Sequence, residues 1–214
     1  FGVQTMYSLD VSDSVNWTVG LDMEISDGYL KQTQNGGFGS FPAGKQYDYT
    51  VDATMWSPYA LMTWQATDQD QFSVALRYEN LEYDYDNRMI DGNTAEDGSS
   101  CSVSAFNPTG ACRYSRPSDR TDDFDNMTAQ IGWIHDFDAD SQIYANLSYA
   151  FRAPQATELY RLQANQLVSD LDSEKVDSFE VGYRANHGNA SYTLSAYYMQ
   201  KDDVIFQDSA RNNV

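Results

Sequence analysis

The chain has 214 residues, of which 41% are hydrophobic and 14% aromatic, and its formal net charge is −19 at pH 7. Such acidity repels phosphate backbones, which excludes a nucleic-acid partner. Because no run of about 18 apolar residues is present, the chain cannot cross a bilayer as a helix.

The first two predicted strands set the pattern for the whole chain. They cover Gly2 to Leu9 and Ser14 to Ile25, and in the second every odd-numbered residue is apolar while its neighbours are small or polar. A period of two gives a strand one apolar and one polar face. We therefore expect a hairpin with its turn over Asp10 to Asp13.

Six further segments repeat this alternation and predict six more strands. Their ranges are Val51 to Gln65, Gln71 to Tyr85, Asp123 to His135, Gln142 to Phe151, Val176 to Ala185 and Ala190 to Met199. The sequence therefore predicts an all-β, antiparallel fold of about eight strands.

The connections between these strands alternate in length. Besides Asp10 to Asp13, the short ones are Ala66 to Asp70, Asp136 to Ser141 and Asn186 to Asn189. The long ones are Ser26 to Thr50, Asn87 to Asp122 and Arg152 to Lys175. This rhythm is typical of a transmembrane β-barrel in an outer membrane, whose short turns face the periplasm and whose long loops face outside.

Aromatic residues fit the same interpretation. Trp17, Trp64 and Trp133 stand beside short turns on the predicted lipid face, where they would form a periplasmic girdle. An outer girdle is predicted from Tyr83, Tyr85, Phe124, Tyr149, Phe151 and Tyr198. The opposite, water-facing side is predicted to include Asn16, Thr18, Gln130, Asn146, Ser148, Glu180 and Arg184.

The two cysteines, Cys101 and Cys112, lie in a stretch rich in Gly, Ser, Asn and Asp. We expect them to form a disulfide that closes a surface loop outside the cytoplasm. A zinc site would need further soft ligands, and no His lies within that loop, so the metal interpretation is disfavoured.

Nothing in the sequence indicates an enzyme. His135 and His187 are the only imidazoles, and both stand beside short turns, away from the long loops where an outer-surface Ser-His-acid site would need them. No pair of carboxylates stands out, and no Gly-rich phosphate loop precedes a helix. We expect no catalytic residues, no resident metal and no cofactor.

The segment Gln142 to Val204 carries four ordered motifs. They are Leu147-Ser148-Tyr149-Ala150-Phe151-Arg152-Ala153-Pro154, Glu158-Leu159-Tyr160, Asp170-Leu171-Asp172-Ser173-Glu174-Lys175 and Ser178-Phe179-Glu180-Val181-Gly182-Tyr183-Arg184. In this order they resemble the motifs of TonB-dependent outer-membrane receptors. The resemblance is sharp over roughly the last third of the chain and architectural before it.

The resemblance implies a 22-stranded barrel with an N-terminal plug, in the outer membrane of a Gram-negative bacterium. Residues 1–214 would supply about eight consecutive strands, without the plug through which the TonB complex acts. The barrel would be surrounded by lipid and would import a scarce small molecule, with a ferric siderophore as the favoured cargo. Haem is disfavoured, because Phe151 to Lys175 lacks the His that haem-importing members place there.

The same segment contains the candidate ligand contacts Arg152, Glu158, Tyr160 and Arg161. Arginine suits an anionic siderophore because its hydrogen bonds to anions are charge-assisted. The sequence favours a second interpretation for part of this set, in which Arg152, Pro154 and Glu158 shape the base of the loop.

Two other classes of protein fit the pattern. Eight is a permitted number of strands for a small closed barrel, which would have a structural or adhesion role. A soluble β-protein with binding loops is the other. Because the chain opens in a strand pattern and ends in a polar stretch, we expect a section of a longer barrel.

Overall fold

An eight-stranded antiparallel sheet dominates the computed structural model, which describes residues 1–103, 107–163, 166–208 and 212–214. Within these ranges the elements are β1 (Gly2–Ser12), β2 (Val15–Gln34), β3 (Gly44–Gln65), β4 (Asp70–Asn87), β5 (Tyr114–Ser115), β6 (Arg120–Asp138), β7 (Ser141–Arg152), α1 (Ala156–Tyr160), β8 (Leu162–Gln163), β9 (Glu174–His187) and β10 (Ala190–Asp202). None of the described helices is both long and apolar enough to cross a membrane. All eight predicted strands are confirmed.

The strands pair in the order β1-β2-β3-β4-β6-β7-β9-β10, while β5 and β8 pair separately. Each large strand therefore lies beside the next large strand in the chain. Over their described residues β1 and β10 do not pair with each other, so the sheet is open at both sides. This topology matches a section of a barrel and does not match the closed eight-stranded barrel considered above.

One face of the sheet is convex and apolar. Val19, Ile131 and Leu147 lie on it with 43%, 50% and 55% of their surface exposed. Trp17 and Trp64 share this face next to short turns, as the predicted girdle requires. Exposed apolar side chains over a whole sheet face indicate an apolar solvent, because soluble monomers rarely leave such patches uncovered.

The other face is concave and polar. Arg77 Nη1 lies 2.6 Å from Asp22 Oδ2 across the intervening strand β3, and the Tyr59 hydroxyl donates to the Thr5 carbonyl across β2 at 3.2 Å. Side chains two strands apart approach this closely on the inside of a curved sheet. By cross-strand register the same face holds Asn16, Thr18, Gln130, Asn146, Ser148, Glu180 and Arg184.

The long connection predicted over Ser26 to Thr50 is wrong for most of its length. β2 and β3 stay paired up to Gln34 and Gly44, so only residues 35–43 connect them. Beyond the apolar band both faces of a hairpin meet water, so the alternation of apolar and polar residues fades while the backbone pairing continues. We call this side of the sheet the loop end, and the side with the short turns the turn end.

The predicted outer girdle is wrong for three of its six members. Tyr83, Tyr85 and Phe124 lie on the concave face, where Tyr83 and Phe124 make an edge-to-face contact with ring centroids 6.2 Å apart. The remaining members, Tyr149, Phe151 and Tyr198, lie on the convex face by register. Along β4 the alternation of apolar and polar residues shifts by one residue. The apolar residues near the loop end of this strand therefore lie on the concave face, although the predicted girdle members on β7 and β10 lie on the convex face.

Gly20 is needed for the packing of the concave face. The Tyr59 ring lies against it, and a Cβ at this position would stand 2.3 Å from both the Thr5 carbonyl oxygen and the Tyr59 ring. On the same strand, the nearest atom to a Cβ at Gly28 is the Val51 carbonyl oxygen at 3.7 Å, an ordinary contact.

We expect Gly20→Ala to destabilise the folded sheet by about 1–3 kcal/mol, because the methyl group displaces Tyr59 or the edge strand. Gly28→Ala is the matched control and should leave stability nearly unchanged. Urea-induced unfolding of the full-length protein in lipid vesicles, followed by tryptophan fluorescence, measures both. Equal effects of the two substitutions would show that Tyr59 can move away without cost.

Candidate functional site

At the loop end, the connections fold over the concave face and fasten to one another. β5, in the connection after β4, pairs with β8, in the connection after β7. The Arg113 backbone N–H donates to the Ser40 carbonyl at 2.6 Å, and the Tyr47 hydroxyl donates to the Leu162 carbonyl. Three connections far apart in the chain therefore form one body, which we call the loop cap: residues 35–43, 88–119 and 153–173, as far as they are described.

The predicted disulfide between Cys101 and Cys112 is confirmed, with the two Cα atoms 5.1 Å apart. Each cysteine is also held by its backbone N–H, which donates to Gly110 in one case and to Asn93 in the other. The bond closes the tip of the connection between β4 and β6. The bond lowers the conformational entropy of this loop in the unfolded chain and so stabilises the folded loop.

A tyrosine cluster joins the loop cap to the strands. Tyr85 and Tyr160 stack with ring centroids 4.2 Å apart and planes at 18°, and both side chains are almost fully buried. The Tyr160 hydroxyl donates to Asp122 Oδ2 at 2.7 Å. Burial raises the pKa of Tyr160, and the adjacent Asp122 carboxylate raises it further, so this hydroxyl stays protonated. Tyr47, Tyr49, Val51 and Leu159 complete the cluster.

Arg116 is buried inside the loop cap with only 1% of its surface exposed. Its Nε donates to the Ile90 carbonyl at 2.8 Å, and its Nη2 donates to the carbonyl and hydroxyl of Thr94 at 3.0 and 2.9 Å. Nη1 reaches the Gln46 carbonyl at 3.3 Å. All these acceptors are uncharged, and burial lowers the pKa of Arg116.

The base of the connection after β7 is held by a charged network centred on Arg152. Its Nη1 and Nη2 donate to the two carboxylate oxygens of Glu158 at 3.0 and 3.1 Å, and its Nε donates to Glu174 at 2.6 Å. Glu158 also accepts the Gln155 backbone N–H at 2.7 Å, which caps α1. These contacts shape the loop base, as the second interpretation of the sequence requires.

Glu174 is the most enclosed carboxylate of this network, with 3% of its side chain exposed. Besides Arg152, it is bound by Lys201 Nζ at 2.9 Å and by the Ile205 backbone N–H at 2.9 Å. These donors lower the pKa of Glu174 to about 2, against the opposing effect of burial. Charged residues on the convex face at this level, Lys175 and Asp177, place Glu174 beyond the apolar band.

The four candidate ligand contacts have different surroundings. Arg152 and Glu158 bind each other, and Tyr160 is fully buried beneath the loop cap. Arg161 is exposed: its Nη2 donates to Gln32 Oε1 at 3.0 Å, and its guanidinium lies 6.0 Å from the Tyr47 ring centroid. Their assignment to ligand binding stays a prediction, in which Arg161 is the exposed member whose donated hydrogen bond goes to a residue outside the set.

The loop cap also borders an open cavity that the sequence did not indicate. Its volume is about 510 Å³, and its lining includes Arg116, Arg120, Asp91, Asp119, Leu167 and Val168. These residues come from two separate connections and follow no local motif. The cavity offers charges of both signs beside an apolar wall, which suits a small ligand with polar and apolar parts.

Comparison with known proteins identifies a family and a related receptor. The family model described as TonB dependent receptor-like, beta-barrel, matches residues 2–214. The rhizobactin receptor of Rhizobium meliloti (strain 1021) is 21% identical over 228 residues, which cover 96% of this chain and 29% of that receptor.

Solved structures share the fold at low sequence identity. The copper transporter OprC has a TM-score of 0.70 and 16% identity, with coverage of 95% of this chain and 30% of OprC. The ferric yersiniabactin uptake receptor FyuA from Yersinia pestis has a TM-score of 0.65 and 14% identity, covering 97% of this chain and 29% of FyuA. The chain thus spans less than a third of the length of these relatives.

We expect the stabilisation from Glu174 to decrease as the pH falls. A carboxyl group whose pKa is lowered on folding stabilises the protein above its unfolded pKa and loses that effect as the pH falls through the folded pKa. Glu174→Gln should therefore cost about 1–3 kcal/mol at pH 7, and the difference from wild type should shrink between pH 4.5 and 2.

Thermal unfolding midpoints of both proteins across this pH range give the measurement. Glu82→Gln is the control, because Glu82 is exposed on the convex face of β4. A difference between wild type and Glu174→Gln that is constant from pH 7 to 2 would contradict the role assigned to the ionised carboxylate.

Proposed function

Because the chain belongs to the TonB-dependent receptor β-barrel family, we propose that it is part of an outer-membrane receptor that imports a scarce nutrient. The favoured cargo is a ferric siderophore, and the membrane is the outer membrane of a Gram-negative bacterium. The observation that carries the proposal is the loop cap folded over the polar, concave face of a sheet whose convex face is apolar.

Each face and end of the sheet has a part in this proposal. The convex face contacts lipid, and the concave face lines a wide, watery lumen. The turn end lies in the periplasm and the loop end outside. Ligand is captured at the loop end and moves along the concave wall, with no covalent chemistry by this chain. Energy would come from the TonB complex through a plug that these residues do not supply.

The choice of cargo rests on the relatives and on the residues at the loop end. Relatives are named for rhizobactin, for ferric yersiniabactin and, in the case of Fiu from K12 E. coli, for ferric catecholate. Another is named for copper, so a metal ion enters the test as a competing cargo. The exposure of Arg161 supports the proposal, because an exposed guanidinium can form a charge-assisted hydrogen bond with an anionic siderophore. The segment from Phe151 to Lys175 offers no His to a haem iron.

Uptake by cells that lack the full-length gene tests the proposal. Cells with and without the gene are supplied with radiolabelled ferric siderophores, copper, cobalamin or oligosaccharides, with and without a functional TonB complex. We expect gene-dependent and TonB-dependent uptake of at least one ferric siderophore. Uptake of oligosaccharide or copper alone would overturn the choice of cargo. Equal uptake with and without a functional TonB complex would overturn the assignment to TonB-dependent transport.

We expect Arg161→Ala to weaken binding of the transported anionic siderophore about tenfold, which is the loss typical of one charge-assisted hydrogen bond. Arg88→Ala is the matched control, because Arg88 is exposed and pairs with Asp86 on the convex face. Binding to the purified full-length protein, measured by calorimetry, compares them. Equal losses would assign the effect to net charge rather than to a contact of Arg161.

A further inference from the structure

The turn end carries a polar cluster on the convex face, where the sheet is otherwise apolar. Asp70 begins β4, and its register partner is His135 near the end of β6. Asp70 Oδ1 lies 2.9 Å from His135 Nδ1 and 3.1 Å from Trp133 Nε1. The side chains of Asp70 and His135 are 27% and 25% exposed, so the cluster is accessible from outside the sheet.

The Asp70 carboxylate keeps capacity for another donor. Oδ1 accepts from Trp133 and faces His135, while among the described residues the Thr67 hydroxyl alone donates to Oδ2, at 2.8 Å. Two carboxylate oxygens offer about four acceptor positions, so one position on Oδ2 is open. The three neighbours fix the carboxylate in place, and a ligand would not have to order it.

A series of aromatic rings extends from this carboxylate along the convex face. His135 has ring contacts with Trp133 at a centroid distance of 6.0 Å and with Phe137 at 4.9 Å, the latter edge-to-face. Phe137 continues the series to Tyr183 at 6.4 Å. Rings at this level of a barrel lie among lipid headgroups, and the faces of Trp and Phe attract cations.

The charge around the cluster selects the sign of the ligand. The short connections over 10–13, 66–70 and 136–141 contain aspartates, the one over 186–189 is uncharged apart from His187, and none of the four contains lysine or arginine. Asp68 lies two residues from Asp70, and Asp136 follows His135 directly. This rim repels anionic headgroups and attracts cationic groups.

We propose that the cluster of Asp70, Trp133, His135 and Phe137 binds the headgroup of a primary-ammonium phospholipid. The ammonium group donates an N–H to Asp70 Oδ2 and lies against the neighbouring ring faces. A quaternary ammonium headgroup would keep the attraction to the rings but has no N–H to donate. A phosphatidylglycerol headgroup carries no cation, so it lacks the attraction to the rings and is repelled by the acidic rim. The inference rests on the membrane location in the proposed function and adds a lipid preference to it.

Native mass spectrometry of the full-length protein in detergent tests the lipid preference without any variant. The probes are phosphatidylethanolamine, its N-methyl and N,N-dimethyl forms, phosphatidylcholine and phosphatidylglycerol. We expect the tightest site to prefer phosphatidylethanolamine over phosphatidylcholine by about tenfold, with affinity falling as methyl groups replace N–H donors. Equal binding of these two lipids, or tightest binding of phosphatidylglycerol, would overturn the proposal.

Two variants of the same connection then locate the site. Asp70→Asn should reduce phosphatidylethanolamine binding about tenfold and remove its advantage over phosphatidylcholine. Asp68→Asn removes the same charge two residues away, outside the hydrogen-bonded cluster, and should leave both properties intact. Equal losses in the two variants would overturn the site in favour of a diffuse charge effect.

The gel mobility of unheated samples reports whether each protein is a folded barrel. If a variant does not fold, the lipid preference is decided by the series of N-methylated lipids measured on wild type. Failure of wild type to insert into lipid would overturn the proposed function itself. Correct insertion with no preference among the lipids would overturn only this inference.

Discussion

Backbone hydrogen bonding between neighbouring strands is the constraint on which the rest of the structure depends. In hydrocarbon, an unpaired N–H or C=O costs several kcal/mol, so every residue that crosses lipid needs a neighbour in the sheet. The registers from β1 to β10 meet this need over most of their length and leave the two outer edges open. Between β3 and β4 they skip Ser57 and Pro58, where the Ser57 hydroxyl donates to the Tyr78 carbonyl at 3.0 Å. When the backbone groups are paired, the side chains can be apolar on the convex face and polar on the concave face. The connections at the loop end can then be long, because they lie outside the apolar band.

Much of this fold was predictable because the apolar solvent imposes a period of two. The eight strands and their order follow from that period and from short turns such as 188–189. Strand ends were not predictable, because above the apolar band water meets both faces and the period fades. At Asn80 and Leu81 the pattern shifts although the register does not, since Asn80 bonds Trp56 on the convex side as the strand leaves the apolar band.

At the loop end, too, some contacts were predictable from the sequence and others were not. The pairing of Arg152 with Glu158 follows from a local motif, in which the two residues lie six positions apart and share the start of a loop. Contacts such as the one between Tyr47 and Leu162 join residues 115 positions apart, and no spacing rule reaches that far. Buried Arg116 belongs to the same class, because three of its four acceptors are main-chain carbonyls that any residue type could supply, and the fourth is the Thr94 hydroxyl.

The choice of acceptors for Arg116 has a consequence for the habitat in which the protein can work. Mobile ions screen exposed pairs of opposite charges, so an assembly held by such pairs loosens in brine and tightens in fresh water. A guanidinium enclosed by fixed carbonyl dipoles and shielded from solvent is barely touched by that screening. The interior of the loop cap thereby keeps its hydrogen bonds across changes in salinity, whereas solvent-accessible ion pairs at the border of the cap, such as Arg120 with Asp170, are screened.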